Sequence, residues 1–198
     1  MKKVVIVRGL PGSGKTHFAL SLIGEHLGKG PANPATLADL SLYATRVAYC
    51  SADLYFTSYA PCSHCRGRGV LTERNLNGPT DEFPCGVCGG SKFGDATYKW
   101  DSSKLENAHH DCLVQFLRAL RTGVPYVVVD NTNVHRADFE IYESAAYGAG
   151  YWPSVVLPPD QPEDSQRLSV QHIRTFFVRN QHNVPLATIA RMAAEWED

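Results

Sequence analysis

The sequence predicts an α/β fold of the P-loop NTPase type, a parallel sheet of about four or five strands with helices on both faces. Three observations carry that expectation. Short apolar runs rich in β-branched residues recur at 4–7, 46–50, 125–129 and 151–157. Stretches with apolar residues at helical spacing separate them, the alternation expected of a parallel sheet with crossover helices. The first run also delivers the chain into Gly9-Leu10-Pro11-Gly12-Ser13-Gly14-Lys15-Thr16, which fits the phosphate-binding loop pattern G-x-x-x-x-G-K-[ST].

The loop pattern has a physical basis. Glycines let several backbone N–H groups converge on one anion, and the helix that follows presents its N-terminal dipole to the same point. Lys15 supplies a positive charge for the β- and γ-phosphates, and the Thr16 hydroxyl is a natural Mg²⁺ ligand. Gly9, Leu10, Pro11, Gly12, Ser13, Gly14, Lys15 and Thr16 are therefore expected to bind a nucleoside triphosphate.

Bulk properties narrow the rest. The 198 residues suffice for one domain with a full core and a small appendage. A hydrophobic content of 43% with 20% charged residues is that of a globular protein, and no apolar run is long enough to span a membrane. The apolar stretch after Lys2 and Lys3 breaks at Arg8, so no signal peptide is expected and the location is expected to be cytoplasmic. A net charge of −1 argues against a large basic footprint, so any nucleic-acid contact is expected to be short and local. Six cysteines in a cytosolic chain favour metal binding or free thiols over disulfides.

After the loop, Phe18, Ala19, Leu22, Ile23 and Leu27 make one face of a helix that Gly28 ends. A linker and a weak helical stretch, 35–43, lead to the second strand, 46–50. Asp53 follows it, at the carboxyl end of a strand, where open α/β sheets bind ligands. A carboxylate there has two readings: a general base toward an attacking hydroxyl, or a cap on the next helix.

Residues 59–95 interrupt the pattern. Cys62-Ser-His-Cys65 and Cys85-Gly-Val-Cys88 form two C-x-x-C knuckles with 19 residues (66–84) between the inner cysteines. Four thiolates at this spacing are a strong zinc signal, with a redox pair or free thiols as the alternative. Cys62, Cys65, Cys85 and Cys88 are thus the expected zinc ligands. His64, inside a knuckle, is given no metal role. Arg66, Arg68 and Lys92 either touch an anionic substrate or offset the tetrathiolate charge.

The next helix is expected to open at Ser102 or Ser103, the latter in capping-box spacing with Glu106, and to run to Arg121. Its apolar face comprises Leu105, Ala108, Cys112, Leu113, Phe116, Leu117 and Leu120, with Cys112 a core thiol. The third strand ends in Asp130-Asn131-Thr132-Asn133, and an Asp after an apolar run matches the second nucleotide motif, which orients Mg²⁺ or its water. A helix over 135–148 and a fourth strand follow; Pro153 predicts that this strand is an edge. Residues 158–164 read as a solvated connector. A helix from Ser165 and a final helix over 186–197 flank Arg179-Asn180-Gln181-His182-Asn183-Val184-Pro185, a polar segment suited to a lid over phosphates.

Gly9–Thr16, Ser51-Ala52-Asp53-x-Tyr55-Phe56, Ala108-His109-x-x-Cys112, Asp130–Asn133 and Arg179-Asn180-x-His182-x-Val184-Pro185 occur in order. Together they resemble the P-loop kinases of the polynucleotide kinase group, including the phage members and small related kinases. The resemblance spans nearly all the chain outside 59–95. It implies ATP as donor, a hydroxyl as acceptor, Lys15 and Thr16 on the donor phosphates and metal, Asp53 as general base and Arg179 as a lid arginine. Two departures stand out. Leu54 occupies a place where the group commonly has a second acid, and Phe56 stands where phage end-healing kinases carry an acceptor-gripping Arg.

The sequence therefore predicts a kinase domain over 1–58 and 96–198 with an inserted zinc segment, 59–95. The expected activity is ATP- and Mg²⁺-dependent transfer to a polynucleotide hydroxyl, most simply a 5′-OH end. Alternatives are a hydroxymethylated base in DNA or a small nucleoside or sugar as acceptor. A nucleotide-switched zinc module that binds nucleic acid without phosphorylating it is an alternative of another class.

Overall fold

The structure is a computed structural model and describes residues 1–30, 35–36, 39–40, 43–66, 68, 70–74, 80–86, 93–162 and 169–197. The chain begins with β1 (Lys3–Val7), α1 (Lys15–His26), β2 (Val47–Cys50) and a single helical turn, α2 (Asp53–Phe56). Four further strands follow: β3 (Thr57–Pro61), β4 (Val70–Arg74), β5 (Thr80–Pro84) and β6 (Phe93–Tyr98). A 3₁₀ turn (Ser102–Lys104) leads into α3 (Leu105–Thr122), β7 (Tyr126–Asp130), α4 (Arg136–Gly148) and β8 (Trp152–Val156). Two helices close the described chain, α5 (Val170–Arg179) and α6 (Leu186–Ala194).

The main sheet is four-stranded in the order β2-β7-β1-β8, and every pairing is parallel. Its inner strands are covered on both faces, which is why they read as unbroken apolar runs. Along β1 the side chains alternate. Val4 and Ile6 join Ala108, Cys112 and Phe116 of α3 and Phe139, Tyr142 and Ala146 of α4. Val5 and Val7 join Ala19 and Ile23 of α1 on the opposite face. Each large side chain buried this way contributes roughly 1.5–3 kcal/mol. β8 lies at the sheet edge and carries Pro153, as expected of a strand with a missing N–H.

The start of α3 differs from the sequence expectation. Asp101, not Ser102 or Ser103, is the cap: its Oδ1 accepts from the Ser103 backbone N at 3.0 Å and from Ser103 Oγ at 2.6 Å. A carboxylate that reaches two residues onward captures the first donors, and the chain makes a 3₁₀ turn before the α-helix begins at Leu105. Leu105 and Leu117 are exposed rather than part of the apolar face. At the other end of the chain, Ser169 caps α5 by accepting from His172 N. The expected start of that helix at Ser165 lies outside the described residues, and α6 ends at Ala194, short of the expected Glu197.

Two antiparallel ribbons stand apart from the main sheet. β3 pairs with β6, and β4 pairs with β5. Thr57 lies opposite Tyr98, so the ribbon that leaves the sheet after α2 returns to the same place. A third apolar cluster joins Phe176 of α5 and Ile189 and Ala193 of α6 to Leu10, Val134 and Trp196. Among the described residues no helix is long and apolar enough to cross a membrane.

Phe116 is fully buried at the centre of the α3 face and meets Tyr142 edge-on at 5.0 Å. Phe116→Ala is expected to lower unfolding stability by about 3–5 kcal/mol, measured as the shift of a urea denaturation curve.

Candidate active site

The site is built from the carboxyl ends of β1, β7 and β2. Parallel pairing sets Val7 opposite Asp130, so the chain leaves β1 at the level of that carboxylate. Two bonds then fix the start of the loop: Gly9 N donates to Thr132 O at 3.2 Å, and Leu10 N donates to Gln161 Oε1 at 3.1 Å. The Leu10 side chain is buried in the third cluster. Gly12 has φ +80°, and a Cβ there would lie 1.9 Å from the Phe176 carbonyl oxygen of α5. The loop therefore rests directly on helix backbone, a fit that glycine alone permits. Gly14, at φ +90°, turns the chain into α1, whose first-turn N–H groups have no partner within the helix. Such a terminus attracts an anion.

Beside the loop lies a polar cluster around the buried Asp130. Thr16 Oγ1 donates to Asp130 Oδ2 at 2.8 Å, and Tyr49 OH donates to the same oxygen at 2.7 Å. Lys15 Nζ donates to Leu10 O at 3.1 Å. Burial lowers the Lys15 pKa and raises that of Asp130, and the charge of each opposes the other's shift. The Tyr49 phenol is pushed well up, first by burial and then by Asp130, and remains a donor. Asp130 Oδ1 is buried and has no hydrogen-bond partner among the described residues. A hydroxyl and a carboxylate are hard oxygen donors, and with this orphaned oxygen they fit a Mg²⁺ ion or its water.

Asp53 opens α2 one residue after Ala52, whose N donates to Asn131 Oδ1 at 2.9 Å. Asn131 in turn donates to Cys112 Sγ at 3.4 Å, so the Asp-Asn pair that ends β7 also fixes the turn before Asp53. The Asp53 side chain does not cap its own helix. Its Oδ1 accepts from Tyr98 OH at 3.0 Å, and its Oδ2 is 3.5 Å from His182 Nε2. Asp53 is also near enough for its charge to act on Lys15 and Asp130. His109, on the adjoining face of α3, has its pKa lowered by burial, with Asp138 and Asp53 acting in the opposite sense. Arg179 ends α5 and forms an exposed ion pair with Asp160, Nη1 to Oδ2 at 2.5 Å.

Arg8 holds the rear of the site together. Its guanidinium lies between the rings of Phe139, at 4.2 Å, and Trp196, at 4.5 Å, and donates to the carbonyls of Asn133 and Glu197. Sequence reading did not single out Arg8, Tyr49, Tyr98 or Gln161. The 158–164 connector is not wholly solvated as expected, because Gln161 is buried and bonded to the loop. Its signal was absent: a glutamine between prolines and acids looks like any surface loop. The alternation of Tyr49 along β2 was the one available clue.

Cys62, Cys65 and Cys85 bring their sulfurs within 4.8 Å of one another, and all three are buried. Cys88, the expected fourth ligand, lies outside the described residues. Cys62 and Cys85 sulfurs are 3.9 Å apart. Tetrahedral zinc with Zn–S bonds of about 2.3 Å sets sulfurs about 3.8 Å apart, whereas a disulfide needs about 2.05 Å. The spacing fits a metal. Arg66, at φ +52°, makes the sharp turn after Cys65, whose carbonyl accepts from Arg68 N. His64 is exposed.

No family model matches the chain. Among solved structures the chain is similar to Chaetomium thermophilum Kti12 in complex with ADP-AlF3. The identity is 14%, the match covers 98% of this chain and 80% of that one, and the TM-score is 0.46. The all-parallel sheet and the glycine loop before α1 are together the architecture of a P-loop NTPase-type fold.

Gly12→Ala is expected to lower Tm by about 2–12 °C, from the strain of a positive φ and the clash with Phe176 O; a thermal melt checks it. The cysteine cluster is expected to hold one zinc per chain, which elemental analysis of purified protein would measure. Cys62→Ser should abolish that stoichiometry.

Proposed function

We propose that the chain is an ATP- and Mg²⁺-dependent phosphotransferase that moves the γ-phosphate to a hydroxyl of a polynucleotide, best a 5′-OH end. The observation that carries this is the place of Asp53. It is a carboxylate at the carboxyl end of β2, electrostatically coupled to Lys15 and not used as a cap on α2. A second acid within electrostatic reach of the loop lysine is what deprotonation of an acceptor hydroxyl requires. Its resemblance to the polynucleotide kinase group points the same way.

In this mechanism the loop N–H groups and Lys15 hold the donor phosphates and take up charge as it develops on the leaving oxygen. Thr16 and Asp130 would hold Mg²⁺, which neutralises phosphate charge when bound. Asp53 draws the proton from the acceptor hydroxyl. Arg179 adds positive charge to the phosphates once it leaves Asp160, and an exposed ion pair costs little to break. Residues 59–95 act as an inserted segment, stabilised by zinc on Cys62, Cys65, Cys85 and Cys88, on the acceptor side of the cleft. The kinase domain comprises 1–58 and 96–198.

One observation favours a second acceptor. Phe56, which stands where phage end-healing kinases carry an acceptor-gripping Arg, is buried against Trp100 with ring centroids 4.7 Å apart. An acceptor without a phosphate at that position, a hydroxymethylated base in DNA or a nucleoside, suits the site better on this count.

The test is transfer of labelled γ-phosphate to 5′-OH DNA, 5′-OH RNA, hydroxymethyluracil DNA and nucleosides, with the labelled position mapped. Asp53→Asn is expected to retain ATP binding and lose roughly 10²-fold or more in kcat. Full turnover by that variant would remove Asp53 from the base role, and ADP release with no labelled acceptor would favour a nucleotide switch.

A further inference from the structure

Two residues at Asp53 come from parts of the chain that a phosphate loop and a base do not require. Tyr98 ends β6, the strand by which the inserted segment returns to the main fold. His182 lies in the polar stretch between α5 and α6. Both converge on one carboxylate, Tyr98 on Oδ1 and His182 near Oδ2.

Tyr98 is held where it is by several independent contacts. It pairs with Thr57 across the β3–β6 ladder, and Thr57 Oγ1 donates to Asp53 O at 2.8 Å. Lys99 N donates to Phe56 O at 2.9 Å, tying the residue after Tyr98 to the last residue of α2. Its ring lies between Phe56, edge-on at 6.1 Å, and His182, at 4.2 Å and 41°. Burial and the Asp53 charge raise the phenol above its ordinary pKa, so the hydroxyl stays a donor at any working pH. A phenol fixed by ladder, ring contacts and backbone is a preorganised partner for the carboxylate.

We infer that Tyr98 is a positioning residue for the phosphoryl transfer: it binds Asp53 Oδ1 and leaves Oδ2 to take the proton of the acceptor. This inference rests on the function proposed above. In the step, the acceptor oxygen bonds to the γ-phosphorus and its proton passes to Asp53 Oδ2. The bond from the γ-phosphorus to the bridging oxygen breaks, and its electron pair leaves with ADP. His182 flanks Oδ2 and packs on the Tyr98 ring, so the stretch between α5 and α6 supports the same arrangement. The inserted segment thus enters the chemistry through its base, quite apart from any contact between its metal-bearing end and the acceptor.

A double-mutant cycle tests this. The full chain with Mg²⁺ and labelled ATP is assayed on a 5′-hydroxyl DNA oligonucleotide and on hydroxymethyluracil DNA, as Asp53→Asn, Tyr98→Phe and the pair. Phenylalanine keeps the ring and its packing and removes only the hydroxyl, and retained affinity for a fluorescent ADP analogue reports that the fold is intact. Tyr98→Phe is expected to lower kcat about 10- to 150-fold, the loss of one hydrogen bond to a charged group, with acceptor KM unchanged. In the Asp53→Asn background the same change is expected to cost nothing further, because the oxygen it positions no longer acts as a base. An unchanged kcat, an effect confined to acceptor KM, or equal losses in both backgrounds would overturn the positioning role while leaving the proposed function in place. Full turnover by Asp53→Asn would remove Asp53 from the base role and overturn this inference with it, whereas no transfer by the unaltered chain to either DNA would overturn the proposed function itself.

Discussion

The pairing of Val7 with Asp130 across the β1–β7 ladder is the constraint on which the rest of the site depends. Two parallel strands in register end at the same height, so the loop that follows one strand begins beside the carboxylate that ends the other. Thr16 can then reach Asp130 from the first turn of α1, and Lys15 can sit next to a buried negative charge. A slip of one residue would turn Asp130 to the opposite face of the sheet. Both strands are apolar on both faces, so a slip would expose none of their valines to water; the register is set instead by the polar partners at the strand ends, which a slip would dislocate.

Asn131 extends the same constraint to a third strand. It accepts from Ala52 N and donates to Cys112, linking β7, the turn after β2 and the middle of α3. Asp53 follows that turn by one residue. The two carboxylates of the site are therefore fixed relative to each other through a single amide side chain, in a place where an unsatisfied polar group would be costly. Tyr142 also donates to Cys112, so the thiol accepts from two sides and acts as a hub of the core.

Local signals carried much of this. Strand, glycine loop and helix follow one another without interruption, so residues 3–27 were legible as a unit, and Asp130 was legible because an apolar run announces it. Pro153 marked the edge strand. The start of α3 is not legible locally, because Asp101, Ser102 and Ser103 all suit a cap and Asp101 caps the 3₁₀ turn that precedes the helix. Tyr98, Gln161 and Arg8 were not legible for a different reason. Each acts on a partner far along the chain, and their neighbours carry no periodicity that points there. Tyr98 is brought to Asp53 by closure of a ribbon 41 residues apart along the chain (98 − 57), a contact that depends on how the inserted segment folds back.

The seat of Gly12 on the Phe176 carbonyl has a mechanical consequence. With no side chain between them, backbone meets backbone where the loop touches α5. Any side chain at this position would have to push the loop and the helix apart. Arg179 stands less than one helical turn beyond Phe176, on the same helix against which the loop rests. The smallest residue in the chain thus sets how closely the glycine loop approaches the helix that carries Arg179.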